Sequence, residues 1–452
     1  MFDTLSTGST AAAPRALHAP EASEIAPILP RQAKTVRDTG LEARFVSDLV
    51  LKAIQASGKA PLPLLAGKLR LSISVLREVL NPLIAEQQVD VAWCGESDID
   101  MQYQLTSIGQ RTAAEALARC RYAGPAPVTL AAYRTMVERQ SLRHADAERL
   151  TPAQLAAALG EDGLPPGTRA TLGAALYARR SLLLYGPSGS GKTQLARKLG
   201  RLLPGAIAVP HALIVGRQVI RLFDPAIHIA PPPARGGTQE ERRSCDARWA
   251  VSRRPLVHVG AELARETLEL RYDAEAGVYH APPHLLATNG MLVVDDVGRQ
   301  RMPAAELLNR FIGPLDAGTD QLVLQGGQTE TVSFDAAVVF ATNLNPAMVF
   351  DDAALRRSGY KAAIGAWSPN AYRTLLRRQC RLRRIDYDEG AADYLVERLH
   401  PQSGRALLAC YPSELLDRIA DFAGFAGGEA RLTAAAVEQA WRSMFIAGDV
   451  EA

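Results

Sequence analysis

The stretch that decides the fold is Ser181-Leu182-Leu183-Leu184-Tyr185, followed directly by Gly186-Pro187-Ser188-Gly189-Ser190-Gly191-Lys192-Thr193. The first five residues form an apolar run typical of a buried strand. The next eight have the spacing G-x-x-x-x-G-K-T, and Gln194 to Leu203 continues as an amphipathic helix. Glycines let the backbone curve so that successive N–H groups point at one anion. The following helix directs its positive end to the same place, so this segment is predicted to be a phosphate-binding loop.

Two side chains of the loop have separate tasks. Lys192 is expected to reach the β- and γ-phosphates of a nucleotide, and the hydroxyl of Thr193 is expected to ligate Mg²⁺. Lysine is scarce in this chain, with seven among the 51 lysines and arginines. Its presence at position 192 therefore also favours a phosphate-binding loop. ATP and Mg²⁺ are the predicted cofactors. The predicted nucleotide-binding residues are Gly186, Pro187, Ser188, Gly189, Ser190, Gly191, Lys192, Thr193 and Gln194.

A second apolar strand ends in two acids, in Gly290-Met291-Leu292-Val293-Val294-Asp295-Asp296. Four apolar residues in a row are typical of a strand that is buried on both faces of a parallel sheet. Asp295 is predicted to hold Mg²⁺, directly or through water. Asp296 is predicted to polarise the attacking water. Glutamate often has this role, and the side chain of Asp296 is one methylene shorter, which reduces its reach. The alternative is a strand that ends in an ordinary acidic turn.

A third apolar strand, Ala337 to Thr342, is followed by Asn343, whose amide is predicted to position the water or to contact the γ-phosphate. The alternative role for Asn343 is a strand cap. Arg356 and Arg357 follow on a short helical stretch, and an arginine there suits a finger that neutralises charge on a neighbouring subunit's ATP. Two solvated arginines in an arginine-rich chain are the alternative.

In this order, the elements resemble those of the AAA+ ATPases: Walker A over 186–193, Walker B over 291–296, sensor 1 at Asn343 and then the arginine finger. The resemblance covers residues 160–452, roughly. It implies an α/β fold, with a parallel sheet flanked by helices as the P-loop core and a helical lid after it. It also implies a homo-oligomeric ring, expected to be a hexamer, that uses ATP to remodel a protein client.

The lead-in Ala287-Thr288-Asn289-Gly290-Met291 is similar to the A-N-G-G run of MoxR-like and magnesium-chelatase-like members. The whole chain looks most like a bacterial group described as ATPases with chaperone activity, which also carries Asp-Asp at Walker B. The matching segments are Arg217–Pro225, Arg253–Pro255, Asp295–Arg301 and Leu355–Arg357.

One position departs from that group. Its lid helix usually begins Pro-Arg-Asp-Leu-Leu, and the arginine of that pattern is sensor 2. Here the stretch 411–418 places Ser413 at the arginine position. Because serine cannot supply a guanidinium to the γ-phosphate, either Arg405 or Arg418 substitutes for it, or hydrolysis is slow.

Residues 1–39 are rich in Ala, Pro, Ser and Thr and are predicted to be a disordered tail. Residues 40–122 read as three helices, a two-stranded hairpin and a closing helix over 107–121, which resembles a winged helix-turn-helix domain. Nucleic-acid binding through the third helix is one interpretation. A protein-docking module is the other, and it is favoured because the third helix offers only Arg77 and the hairpin loop holds Glu96, Asp98 and Asp100.

Residues 123–160 are predicted to be a helical linker, 161–365 the ATPase core and 366–452 the helical lid. The spacer between the two phosphate-site motifs is long, so an insertion is expected at about 216–290. Within it, a loop rich in arginine suggests a basic pore lining or a contact with an acidic partner; a solvated loop is the alternative. Its arginines are 235, 242, 243, 248, 253 and 254.

The composition of the chain argues against several classes of protein. The 452 residues carry a net charge of +3, which is too small to indicate a polyanion-binding protein. No run of about 18 apolar residues predicts a transmembrane helix. The five cysteines are far apart, which argues against zinc and against a disulfide framework. A cytoplasmic ATPase without membrane insertion is expected; the alternatives are a DNA-associated ATPase and a nucleotide-switched scaffold with weak hydrolysis.

Overall fold

In the computed structural model, the described residues are 29–93, 101–144, 147–160, 162–232 and 244–445. Several predictions fall outside them: the tail over 1–28, the acidic loop at 94–100, the loop arginines at 235, 242 and 243, and the last seven residues of the lid.

The helices, in chain order, are α1 (Ala43–Ser57), α2 (Leu62–Leu69), α3 (Ile73–Ala85), α4 (Ser107–Arg119), α5 (Leu130–Arg139), α6 (Pro152–Leu159), α7 (Pro166–Tyr177), α8 (Lys192–Arg201), α9 (Pro283–Leu286), α10 (Ala304–Ala317), α11 (Pro346–Val349), α12 (Asp352–Arg357), α13 (Pro369–Arg383), α14 (Glu389–Asp393), α15 (His400–Gln402), α16 (Tyr411–Phe425) and α17 (Ala434–Met444). Within the described ranges, no helix has both the length and the apolar character needed to cross a bilayer.

The strands, in the same order, are β1 (Lys59–Pro61), β2 (Val89–Trp93), β3 (Gln102–Leu105), β4 (Val128–Thr129), β5 (Leu182–Tyr185), β6 (Ala206–Pro210), β7 (Ala212–Val215), β8 (Gln218–Arg221), β9 (Trp249–Arg253), β10 (Leu256–Val259), β11 (Arg271–Asp273), β12 (Val278–His280), β13 (Met291–Val294), β14 (Thr319–Val323), β15 (Thr329–Ser333), β16 (Ala337–Thr342) and β17 (Tyr360–Ala363).

A five-stranded parallel sheet carries the three predicted motif strands, in the order β10-β13-β16-β5-β17. Its apolar side chains are buried because helices cover both faces. The carboxyl ends of β5, β13 and β16 therefore lie side by side. One boundary differs from expectation: Leu256–Val259 belongs to this sheet, not to an insertion over 216–290. His258 interrupts its short apolar run, which hid the strand in the sequence.

A second five-stranded sheet has the order β11-β12-β8-β7-β4 and its own apolar core. It takes its edge strand β4 from residues that were predicted to be a helical linker. The helix α5 that follows buries Tyr133, Met136 and Val137 in the same core. Residues 128–139 are thus part of a mixed α/β layer and not a spacer. Two residues are too few for an alternating pattern, so β4 left no signal in the sequence.

The amino-terminal unit consists of α1 to α4 around a three-stranded antiparallel sheet in the order β1-β3-β2. Residues 29–39 do not extend from it as the predicted tail would. Ala33 and Val36 are buried in its core. The Val36 amide donates to the Glu78 carboxylate at 2.9 Å, and the Ser72 hydroxyl donates to the Ala33 carbonyl at 2.6 Å. This segment lies on the first turns of α3.

A buried ion pair joins that unit to the second sheet. Arg248 and Asp246 are 2.8 Å apart, and their side chains are 6% and 7% exposed. The same guanidinium donates to the carbonyls of Thr39 and Pro127 at 2.9 and 3.2 Å. Three distant segments of the chain therefore share one buried cation.

Residues from 367 onward build a separate helical core. Phe422 on α16 lies outside this core and is 37% exposed. The helical unit contacts the phosphate loop directly, since the Cys410 amide donates to the Gly189 carbonyl at 3.0 Å. The first turn of α16 therefore lies next to the loop.

Candidate nucleotide-binding site

The loop after β5 curves as its glycines predict. Gly186 has φ +146°, and a Cβ there would lie 2.1 Å from the Ile364 carbonyl oxygen. Gly191, with φ +97°, begins α8. Lys192 is 5% exposed, and its ammonium donates to the carbonyls of Gly186 and Pro187 at 2.9 and 2.8 Å. Burial lowers the pKa of Lys192, while the carboxylates of Asp295 and Asp296 oppose that shift.

Asp295 is the centre of the polar contacts at the sheet edge. Its Oδ2 accepts a hydrogen bond from the Thr193 hydroxyl at 2.6 Å and lies 3.1 Å from His258 Nε2. Its Oδ1 accepts from the Asp296 amide at 2.9 Å. The carboxylate is 10% exposed, so these contacts fix its orientation. The structure thus brings Thr193 and Asp295, which lie on different elements, into direct contact.

Asp296 and Asn343 form the next pair along the edge. The Asn343 amide donates to Asp296 Oδ1 at 2.9 Å. Asp296 has φ +52°, a left-handed conformation that aspartate and asparagine adopt more readily than most residues. This backbone turn directs the side chain away from the strand, toward Asn343. The two residues predicted to act on water are therefore adjacent.

Two further polar residues contact this site, and neither was predicted as a site residue. His258 lies on β10, whose register pairs it with Val293 beside Asp295. Gln300 donates through its amide to the Asp295 carbonyl at 2.6 Å and accepts from the Gly298 amide at 2.8 Å. Recognising β10 as a core strand would have pointed to His258, because polar residues near strand ends collect at this edge.

The predicted finger residues lie apart from this cluster. Arg356 and Arg357 end α12 with exposed side chains. Among the described residues, neither guanidinium makes a hydrogen bond or an ion pair. An exposed arginine at the end of a short helix is available to a neighbouring molecule.

A guanidinium does contact Ser413, but it belongs to Arg383 and not to Arg405 or Arg418, the two substitutes named from the sequence. Arg383 of α13 donates to the Ser413 hydroxyl at 2.7 Å and pairs with Asp417 at 2.7 Å. The two substitutes named from the sequence lie elsewhere. The Arg405 guanidinium stacks on the Phe445 ring at 3.5 Å, and Arg418 donates to the Glu414 carbonyl one turn earlier in α16.

The donor set suits a hard divalent cation. The Thr193 hydroxyl and the Asp295 carboxylate are oxygen ligands, and Mg²⁺ is typically held by one or two carboxylates together with substrate phosphates. Thr193 and Asp295 are already in contact, so they require little rearrangement to share one ion. The residues present therefore fit Mg²⁺.

The arginine-rich loop contributes less to a basic surface than its sequence suggested. Arg248 is buried in its ion pair with Asp246. The Arg254 guanidinium donates to the carbonyls of Pro204 and Asn289, both at 2.6 Å. Arg253 remains exposed. Two of the six arginines thus hold the fold together, because carbonyl groups of buried turns require donors.

Comparisons with known proteins add little to this geometry. Residues 368–443 match a family described as "Domain of unknown function (DUF8689)". No curated protein matches the chain. Among solved structures, NtrX from Brucella abortus in complex with ADP is 14% identical, with a TM-score of 0.38 and coverage of 73% of this chain and 61% of that chain. The RuvB Holliday junction branch migration motor from Thermotoga maritima is 14% identical, with a TM-score of 0.34 and coverage of 63% and 70%. At these values the likenesses assign no family.

Proposed function

We propose that this chain is a Mg²⁺-dependent ATPase of the AAA+ type, which assembles into a ring and uses ATP hydrolysis to remodel a protein partner. The observation that carries the ATPase assignment is the meeting of a phosphate loop and two acids at one sheet edge. Thr193 contacts Asp295 at 2.6 Å, and Asn343 contacts Asp296 at 2.9 Å. Residues from three parallel strands and one helix supply what phosphoryl transfer requires: positioning and charge stabilisation.

Each residue has a role that follows from its place. The loop amides and Lys192 bind the phosphates, and Lys192 is held between carbonyls that the phosphates would replace as its acceptors. Mg²⁺, held by Thr193 and Asp295, would neutralise charge on the phosphate oxygens. Asp296 accepts a proton from water, and Asn343 holds the Asp296 carboxylate in place. The lid stays close to the loop through Cys410 and Gly189.

Asp296→Asn tests this assignment. We expect ATP binding to persist and phosphate release to fall about 100-fold, because the amide removes the base and little else. Asparagine tolerates the left-handed backbone at this position, so the fold is preserved. Binding of a fluorescent ATP analogue and steady-state phosphate release would be measured on the same preparation. Proteins that co-purify with this trapped variant would identify the client.

Asp316→Asn, an exposed acid on α10, is the matched control and should leave turnover unchanged. Unaltered phosphate release by Asp296→Asn would contradict the assignment of the base. Tight ATP binding without phosphate release by the unmodified chain would instead support the nucleotide-switched scaffold.

His258→Ala is expected to weaken Mg²⁺ binding at the site specifically. Loss of a partner that orients a metal-binding carboxylate costs about 10-fold or more in metal affinity. The Mg²⁺ concentration for half-maximal turnover should therefore rise by about 10-fold, while ATP binding without Mg²⁺ is unchanged. His280→Ala, in the second sheet, is the control. An identical Mg²⁺ titration for His258→Ala and the unmodified chain would exclude this role.

Arg383→Ala tests the guanidinium beside Ser413. We expect turnover to fall about 10-fold or more if this group stabilises charge on the phosphate. Arg377→Ala on the same helix is the control, since that arginine pairs with Glu389 instead. Asp417→Ala breaks the ion pair but keeps Arg383. If Asp417→Ala reproduces the loss, the ion pair is merely structural, and Arg405 and Arg418 become the remaining candidates.

The alternative of a DNA-associated ATPase has less support. A helix-turn-helix domain reads DNA with the first residues of its recognition helix. In this unit, the start of α3 contacts residues 33–36 through Ser72 and Glu78. A protein-docking role for residues 40–122 is therefore the proposal, and salt-dependent retention of the full chain on duplex DNA would contradict it.

A further inference from the structure

A small cavity lies at the edge of the parallel sheet opposite the phosphate loop. It is lined by residues that precede β5, β13 and β16, among them Arg179, Gly290 and Asp335. Arg143 and Arg254 complete its polar wall. Three guanidinium groups therefore face one carboxylate. No residue of the proposed ATPase site lines this cavity.

The single carboxylate is already engaged. Asp335 Oδ1 lies 3.1 Å from Arg143 Nε, and Asp335 Oδ2 accepts from the Asn289 side-chain amide at 2.5 Å. Arg254 donates to the carbonyls of Pro204, Gln140 and Asn289. Carbonyls satisfy its hydrogen bonds but do not cancel its charge.

Arg179 has no such partners. Within the described ranges its guanidinium makes no hydrogen bond and no ion pair, although it lines the cavity. Burial lowers the pKa of Arg179 to about 10 and that of Arg254 to about 9. The charge of Arg149 lowers the pKa of Arg179 further, and the charge of Arg179 lowers the pKa of Arg254 further. Asp335 offsets only part of this effect for both arginines, and Glu148 offsets part of it for Arg254. Like charges that are partly buried side by side favour a bound counter-charge.

The volume of the cavity limits the size of an anion that could bind inside it. Its volume is about 20 Å³, and one water molecule needs roughly 10–15 Å³ on the same measure. A halide fits such a space. A tetrahedral oxyanion is several atoms larger and would extend beyond this space into the open side of the cavity.

We propose that this cavity is a binding site for a small monovalent anion of the halide class, held by Arg179 and Arg254. The bound anion ties the segment before β5, which carries Arg179, to the segment before β10, which carries Arg254. It therefore stabilises the sheet from the side opposite the nucleotide. The inference does not depend on the proposed ATPase activity.

The test uses thermal unfolding of the full chain at equal ionic strength in sodium chloride and in sodium gluconate, whose anion is too large for the cavity. The melting temperature of the unmodified chain should be several degrees higher in chloride, because a ligand that binds only the folded state stabilises it. Arg179→Gly should lose this difference. In gluconate it should melt no lower than the unmodified chain, because glycine suits the φ of +53° at this position and one repelling cation is removed.

Arg384→Gly is the matched control: it ends another helix with φ +58° and is exposed. It should keep the full chloride dependence. The proposal is overturned if Arg179→Gly and the unmodified chain respond equally to chloride, or if sulfate produces the same Arg179-dependent rise in melting temperature as chloride. It is also overturned if Arg179→Gly melts lower in gluconate, since Arg179 would then be stabilising without an anion. Crystals soaked in sodium bromide should show an anomalous peak between Arg179 and Arg254.

Discussion

Replacing Lys192 by alanine is expected to abolish ATP turnover and to weaken ATP binding about 100-fold. A charge-assisted hydrogen bond from an ammonium contributes roughly 1.5–3 kcal/mol, and Lys192 is positioned to make more than one with the phosphates. Its ammonium already lies within 2.9 Å of two loop carbonyls, so it is held where phosphate oxygens would bind. Equilibrium binding of a fluorescent ATP analogue and phosphate release are the measurements.

Lys198→Ala provides the control on the same helix. Lys198 pairs with Asp162 on the surface of α8, and partly exposed ion pairs contribute little to stability. Its turnover should stay within about twofold of the unmodified chain. If Lys192→Ala still hydrolyses ATP at the original rate, the phosphate loop is not the catalytic site.

Arg357→Ala should reduce turnover about 1000-fold, with ATP binding intact, if the residue acts as a finger in a neighbouring subunit's site. The structure favours action in trans, because the exposed side chain makes no contact with its own chain's phosphate loop among the described residues. Arg356→Ala, measured beside it, distinguishes the two arginines. Arg217→Ala, 79% exposed, controls for loss of one surface cation.

Mixing Arg357→Ala with Lys192→Ala subunits tests the assembly itself. A mixed ring contains some interfaces with an intact loop from one subunit and an intact arginine from the next. Turnover should therefore reappear on mixing, although each variant alone is inactive. Failure to recover any turnover, while both variants assemble normally, would argue against a finger supplied by a neighbour.

The sequence predicted the centre of the molecule well, because its signals there are strong and local. Apolar runs mark strands that are buried on both faces, and β5, β13 and β16 lie where those runs predicted them. The contacts of Thr193 with Asp295 and of Asn343 with Asp296 follow from a simple rule: the carboxyl ends of parallel strands meet at one edge.

The features that were not predicted depend on contacts between segments that are distant in the sequence. His258 contacts Asp295, and Arg383 contacts Ser413, from elements whose neighbours no local pattern reveals. The strand β4 is two residues long, and residues 29–39 are ordered because Ala33 and Val36 find an apolar surface near α3. Two apolar side chains are too few to change a composition that is typical of disorder, so the composition could not predict that they are buried. Secondary structure could thus be predicted at the motifs, whereas packing between units could not.

The shared cation Arg248 has a mechanical consequence. Because Thr39, Pro127 and Asp246 are held by the same buried guanidinium, the amino-terminal unit cannot swing freely on a tether. Arg248 directly precedes β9, and only Arg254 and Pro255 separate β9 from β10 of the parallel sheet. A displacement of β10 would accordingly reach residues 40–122 through this short connection and the buried guanidinium.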